Sequence, residues 1–324
     1  MKAKKGVVYQ RKKKFNQPFP WSKLIYIAVL FFLLLELPPQ NVYSFRSFTE
    51  NFTPKVDLQL PTPAPLPENI TLSQPPELSA NGVMIVDLPS GMTLFEKNPD
   101  EKLLPASTTK IMTALVTLGE YQLSDIVRVR TVISEGQVMG LVPGEMITVE
   151  NLLYGILVHS ANDAAYALAE HFPGGVEGFV AKMIQKAADL SLTNTHFTNP
   201  IGFDDEAHYT TAEDLARLSR VALQHPVITK IAAVPQITVS DSQYIYFHPL
   251  KNVNELVGKI PGVGGLKTGW TLHAGQSVVT TVQRNSHQVL FVILKSNDRF
   301  GETEQLIEWV FTNFRWRNLS PSPY

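Results

Sequence analysis

The chain has 324 residues, 44% of them hydrophobic, enough for a sizeable core and one or two domains. It contains no cysteine, so disulfides and thiol catalysis are excluded. No H-E-x-x-H or cysteine–histidine cluster points to a metal, and no cofactor is expected. The net charge of −1 conceals an asymmetry: residues 1–23 hold eight lysines and arginines and no acid, which leaves −9 on the rest.

A basic segment of this kind suits a nucleic-acid binder. Here it runs directly into the apolar stretch 24–35, which points to membrane topology and away from nucleic acid. Residues 21–37 make 17 mostly apolar residues, at the lower edge of what spans a bilayer as a helix. No small-residue cleavage site follows; Glu36, Leu37, Pro38 and Pro39 do. The reading is a basic cytoplasmic tail over 1–23, an uncleaved anchor over 24–37 and everything later outside the cytoplasm. If the segment were cleaved, the remainder would be secreted. Nine prolines in residues 38–80 predict an extended linker. Within it, Asn69-Ile70-Thr71 matches a glycosylation acceptor pattern.

From Asn81 onward the pattern becomes that of a folded domain. Residues 82–88 read as a strand, Pro89-Ser90-Gly91 as a turn and 92–96 as a second strand. Pro105, then Ile111, Met112, Ala114, Leu115 and Leu118, predict a helix with Ser107 in its first turn and Lys110 on the same face. Val149, Leu152, Leu153, Ile156 and Leu157 predict a second helix, broken at His159-Ser160-Ala161-Asn162, and a third follows over 163–170. Thr211-Ala212-Glu213-Asp214 resembles a capping box before Leu215, Leu218 and Val221. Residues 107–225 are thus expected to be mainly helical. Strand character returns at 266–271, 277–282 and 289–294, the last two joined as a hairpin at Arg284-Asn285-Ser286. The unbroken apolar run 289–294 predicts a strand covered on both faces, and 303–314 a closing helix. Strand pairs at both ends with helices between imply one α/β (α+β) domain over 81–317, its N- and C-terminal strands sharing an antiparallel sheet. A short tail, 318–324, ends the chain.

Three short words carry the chemistry: Ser107-Thr108-Thr109-Lys110, Ser160-Ala161-Asn162 and Lys267-Thr268-Gly269. A serine hydroxyl needs a base before it can attack. Lysine serves only when neutral, so its pKa must fall from about 10.4. Burial and the nearby charge of Lys267 are expected to depress Lys110. Ser160 can relay a proton, and the Asn162 amide can hold a substrate backbone. Lys267 and Thr268 offer a cation and a hydroxyl to a carboxylate, and Gly269 allows a substrate strand to approach closely. The backbone N–H groups of Ser107 and Trp270 are the expected oxyanion donors. A second S-x-N copy, Ser79-Ala80-Asn81, lies outside this order, at the end of the linker. His159 beside Ser160 invites reading as a triad base, but no spacing supports that role.

The trio is that of penicillin-binding proteins and class A β-lactamases. Across roughly residues 80–312 the chain resembles the D-alanyl-D-alanine carboxypeptidases among the low-molecular-weight penicillin-binding proteins. The likeness extends to 80–84, 105–114, Pro143-Gly144-Glu145, 152–165, Thr198-Asn199-Pro200-Ile201-Gly202, 265–271 and Ala274-Gly275. It implies a β-lactamase/transpeptidase-like fold with Ser107 as the acylated nucleophile and Lys110 as its base. It further implies Ser160 and Asn162 in proton relay and substrate binding, and Lys267 and Thr268 at the substrate carboxylate. The implied partners are peptidoglycan stem peptides and, as covalent ligands, β-lactams. Trp270 follows the K-T-G glycine where the family often has other residues, and Arg315-Trp316-Arg317 makes a weak C-terminal anchor. The implied activity is removal of the terminal D-alanine, with crosslink endopeptidase as the alternative. A class A β-lactamase is disfavoured because Glu170, Glu177 and Glu206 lack a following E-x-x-L-N pattern.

Overall fold

The computed structural model describes residues 21–35 and 63–318, in two separate units. The first holds one helix, α1 (Trp21–Leu35). At 1.5 Å per residue it is about 22 Å long, short of the roughly 30 Å hydrocarbon core. Among the described residues no helix is long and apolar enough to cross a membrane. Residues 36 and 37 of the expected anchor, the basic tail 1–20 and the segments 38–62 and 319–324 lie outside the described residues.

In the second unit, β1 (Leu66–Asn69), β2 (Gly82–Asp87) and β3 (Thr93–Lys97) precede a 3-10 turn, Ala106–Thr109, and α2 (Lys110–Glu120). Next come β4 (Ile126–Arg128), β5 (Met146–Thr148), α3 (Val149–Leu157), α4 (Asn162–His171), α5 (Gly175–Asp189), α6 (Ala212–Ala222) and α7 (Pro226–Ala232). The chain closes with β6 (Gln236–Ser240), β7 (Phe247–Lys251), β8 (Val263–Thr271), β9 (Gly275–Arg284), β10 (His287–Ser296), α8 (Arg299–Asn313) and β11 (Phe314–Arg317).

The main sheet is antiparallel, in the order β3-β2-β10-β9-β8. As expected, its strands come from both ends of the domain. Strand β10 is central, with Phe291 opposite Ile85 on one side and Thr280 on the other. Because side chains alternate along a strand, β10 serves two cores. Leu290, Val292 and Leu294 pack with Met84, Val86 and the helices. Val289, Phe291 and Ile293 pack with Val83, Ile85 and the Leu306, Ile307 and Val310 face of α8. The sheet is thus the middle of three layers, and the unbroken apolar run 289–294 is buried on both faces.

Two expectations need correction. The proline-rich stretch is not structureless to its end: β1 pairs antiparallel with β11, Pro67 opposite Trp316. A proline fits because this is a two-stranded edge, where a missing N–H need cost no ladder bond. Arg315-Trp316-Arg317 accordingly belongs to the folded domain. Trp316 stacks on His287 at 4.3 Å and donates to Asp87 Oδ1 at 2.8 Å, and Arg317 pairs with Glu68. The second correction concerns α6. Thr211 caps it, accepting from the Asp214 N–H at 3.1 Å, but Asp214 does not complete a capping box. Its carboxylate turns instead to Asn194 N and Thr195 Oγ1. The hairpin β6–β7 and the pair β4–β5 were not foreseen within or after the helical stretch.

A buried pair fastens the β6–β7 hairpin to the loop before β5. His248 Nε2 donates to Glu145 Oε1 at 2.8 Å and its Nδ1 to Met139 O at 3.0 Å. Burial alone would lower the His248 pKa; the Glu145 hydrogen bond and charge, the Met139 carbonyl and Asp163 outweigh it and raise the value. The unfolded histidine titrates near pH 6.5. The pair's contribution is therefore fully present below about pH 6.5 and is lost as pH climbs through the raised folded value. Urea unfolding at pH 6 and pH 9 should show wild type losing more stability across that interval than His248→Gln. Equal losses would remove the pair from the account.

Candidate active site

Ser107 sits in the 3-10 turn ahead of α2, one turn earlier than a regular helix start. Ala106 just before it holds φ +48, the left-handed region, at a cost of about 1–3 kcal/mol that the surrounding packing offsets. Lys110, at the first position of α2, is fully buried. Its Nζ lies 2.9 Å from Ser107 Oγ, 2.7 Å from Asn162 Oδ1 and 2.8 Å from Ile201 O. Two of these neighbours are carbonyl oxygens, which only accept. A neutral amine has two N–H groups and one lone pair, so donating to Asn162 and Ile201 turns the lone pair onto Ser107. Burial lowers the Lys110 pKa to about 7, against the opposing pull of Asp163.

The site therefore has a depressed lysine, as the chemistry requires, but the expected cause is only partly right. Desolvation, not the charge of Lys267, dominates at Lys110. Lys267 is itself buried and is driven well below its usual value by burial first, then by the charges of Lys110 and Arg299. Its Nζ donates to Thr268 O at 2.9 Å. Two buried amines this close in one site cannot easily both hold protons.

Asn162 makes contacts that its residue type alone did not announce. Its Oδ1 faces Lys110, and its Nδ2 donates to Glu135 O at 2.8 Å. The amide thus helps to orient the lysine, and its oxygen and nitrogen each keep a second lone pair or N–H free of these two bonds. Ser160 stands in the break between α3 and α4 at φ +62. Together with Ser107, Thr268, Trp270 and Arg299 it lines a cavity of about 700 Å³. Trp270 is 62% exposed and forms the outer wall. Gly269 is small for a reason internal to the protein: a Cβ there would stand 2.9 Å from Pro105 O and 3.2 Å from Ser107 N. Its lack of a side chain brings β8 against the nucleophile turn.

The other S-x-N copy lies elsewhere: Ser79 Oγ accepts from Asn297 N, near the start of α8. His159 is bound to Gln137 and Lys251 O, so it serves neither serine. Glu170 holds Thr131, and neither it, Glu177 nor Glu206 lines the cavity.

Several contributors escaped the sequence reading. Arg299, at the start of α8, donates to Gly269 O at 2.8 Å, while its buried Nε has no partner among the described residues. The Asp163 carboxylate accepts from Met139, Gly140, Leu141 and Ala164 N–H groups and so shapes the wall next to Asn162. The Ile201 carbonyl belongs to the stretch Thr198-Asn199-Pro200-Ile201-Gly202. That stretch stood out only by resemblance, since a main-chain acceptor leaves no residue type to find.

The D-alanyl-D-alanine carboxypeptidase model of peptidase family S11 matches residues 69–298. The chain belongs to this family. It is 33% identical over 250 residues to the D-alanyl-D-alanine carboxypeptidase DacF of Bacillus subtilis, a match that covers 74% of this chain and 64% of DacF. The chain thus spans just under two thirds of that relative's length. It is also 30% identical to a D-alanyl-D-alanine endopeptidase of Escherichia coli, covering 75% of this chain and 80% of that one. The Streptomyces K15 DD-transpeptidase superposes with a TM-score of 0.70 at 28% identity, over 74% of this chain and all of that one. The mixed α/β architecture of the S11 chain is therefore that of the DD-transpeptidases, and its matched region contains all three words of the site.

Proposed function

We propose that the chain is a serine D-Ala-D-Ala carboxypeptidase that removes the terminal D-alanine of peptidoglycan stem peptides through an acyl-serine intermediate. The observation that carries this reading is the buried Lys110 amine, 2.9 Å from Ser107 Oγ with both N–H groups engaged by carbonyl oxygens. Neutral Lys110 takes the Ser107 proton as Oγ attacks the penultimate D-alanine carbonyl. The N–H groups of Ser107 and Trp270 stabilise the oxyanion, a role in which one donor is typically worth about 10²–10³ in rate. Lys110 returns the proton through Ser160 to the departing D-alanine amine, the acyl C–N bond breaks, and the ester to Ser107 remains. Water then attacks that ester, with Lys110 again taking the proton; the bond to Ser107 Oγ breaks, Lys110 hands its proton to that oxygen, and the shortened peptide leaves with a free carboxyl group. Thr268, Lys267 and Arg299 receive the terminal carboxylate.

The same geometry accounts for β-lactams as covalent ligands, since ring opening delivers the acyl group to Ser107. A DD-endopeptidase of crosslinks is the second reading, favoured by the identity to a named endopeptidase. We place the catalytic domain over 63–317, starting before residue 81 because β1 is part of it. The basic tail and residues 21–37 tether it to the cytoplasmic membrane, with the catalytic domain outside the cytoplasm.

The test is mass spectrometry after incubation with a labelled penicillin. The expected adduct is stoichiometric and maps to the peptide bearing Ser107; an unmodified chain would overturn the reading. Release of D-alanine from a pentapeptide, set against cleavage of a crosslinked dimer, then separates carboxypeptidase from endopeptidase.

A further inference from the structure

His208 has no part in the steps above, yet it is fully buried and bonded at both ring nitrogens. The Thr198 backbone N–H donates to its Nδ1 at 3.0 Å, so Nδ1 carries no proton. Nε2 then carries the ring hydrogen and donates to Thr109 Oγ1 at 2.8 Å. Burial pushes the His208 pKa down to about 4; Asp205 and Asp204 oppose that shift and His196 adds to it. The imidazole is thus neutral, in one tautomer, at any pH where the lysine is a base.

Both partners of His208 bear on Lys110. Thr109 is its neighbour in the chain. Thr198 opens the loop that supplies the Ile201 carbonyl. Next to it, Asn199 Oδ1 gathers the N–H groups of Ile201, Gly202 and Phe203 at 3.2, 2.7 and 3.0 Å. That loop is tied to α2 a second time, by Thr113 Oγ1 donating to Pro200 O at 2.6 Å. One end of the His208 bridge therefore holds the turn that carries the nucleophile and its base. The other end holds the loop that carries one of the base's two acceptors.

We propose that His208 is a positioning residue for acyl transfer: by bridging Thr109 to Thr198 it sets the distance between the Lys110 amine and the Ile201 carbonyl, and so aims the amine lone pair at Ser107. The proposal rests on the acyl-serine reading above. If the carbonyl retreats, the amine loses an acceptor and is free to turn away from Ser107. Water entering the gap also relieves the burial that depresses Lys110, whose other charged neighbours, Asp163 and Lys267, stay in place. A misplacement of about 1 Å can cost up to roughly 100-fold in rate.

The experiment measures acylation of the full chain by a fluorescent penicillin from pH 5 to 10, expressed per titratable site. His208→Phe keeps bulk but removes both nitrogens. Thr109→Val removes the hydroxyl partner with little change of shape and serves where His208→Phe folds poorly. Each variant is expected to acylate about 10–100-fold more slowly per site, with a pH midpoint above the wild-type value. His208→Asn, which keeps an acceptor for Thr198, should fall between these variants and wild type. A merely structural brace would reduce the number of titratable sites and leave rate and midpoint per site unchanged; that result overturns the proposal. A wild-type chain that takes no adduct overturns the acyl-serine reading and the bridge with it, an outcome distinct from acylated wild type with unaffected variants.

Discussion

Lys110→Met is expected to slow acylation of Ser107 by about 10²–10⁴-fold, the usual worth of a positioned base. It should also abolish the pH dependence that wild type shows. Burial places the wild-type midpoint at about 7. Below it the lysine is protonated, its lone pair is gone, and the rate should fall tenfold per pH unit; above it the rate should level off. Stopped-flow acylation by a chromogenic cephalosporin between pH 5 and 10 reads both features. A wild-type midpoint near 10 would contradict a buried neutral base. The same burial bears on stability. Between pH 7 and about 10.5 the unfolded chain holds a proton that folded Lys110 has released, so its contribution to stability rises with pH across that window. Below pH 7 the full cost of burying the ammonium is present.

Gly202→Ala should be the most damaging single-carbon change near the site. Gly202 holds φ +95, and a Cβ there would stand 1.8 Å from Ala106 O and 3.0 Å from Ser107 N. The obstacle is backbone, with no flexible side chain to yield. Either the 198–203 loop or the nucleophile turn must move, and both carry groups that touch Lys110. Overpacking and left-handed strain together should cost about 3 kcal/mol or more. The displacement should cost about 100-fold in acylation of whatever remains folded. Urea denaturation and adduct formation per folded molecule measure the two effects separately. Gly119→Ala in α2, where the added carbon meets nothing within 4 Å beyond its own helix, is the matched control; it should leave acylation unchanged and stability unchanged or higher by up to about 1 kcal/mol. Comparable losses in the two variants would show that the close approach at Gly202 is not decisive.

Periodicity revealed the elements that build the sheet. The run 289–294 needed no partner to be recognised as a doubly covered strand, and the 284–286 turn joined it to 277–282 as found. Ser107, Lys110 and Ser160, which the structure gathers at one site, were legible because each is a reactive residue type at a marked place: a helix start, or a break between helices. What stayed hidden had no such mark. Ile201 acts through its carbonyl, which any residue possesses. Asn162 was read as a substrate ligand because its amide suits that work, and only geometry reveals that it also holds Lys110 and the Glu135 carbonyl. Arg299 reaches the cavity from a helix that follows the last motif by 30 residues of chain. Strand β1 was concealed by the prolines around it, since its pairing with β11 joins segments at opposite ends of the domain.

The position of β10 also governs when the molecule can form. Strand β2 is made early, yet its partner, which sets Phe291 against Ile85, follows about 200 residues later. Closing so long a loop is slow and yields no gain until it is complete. A nascent chain that has not reached β10 can hold Ser107, Lys110 and even Lys267, but it lacks the one strand that joins β2 and β3 to β9 and β8.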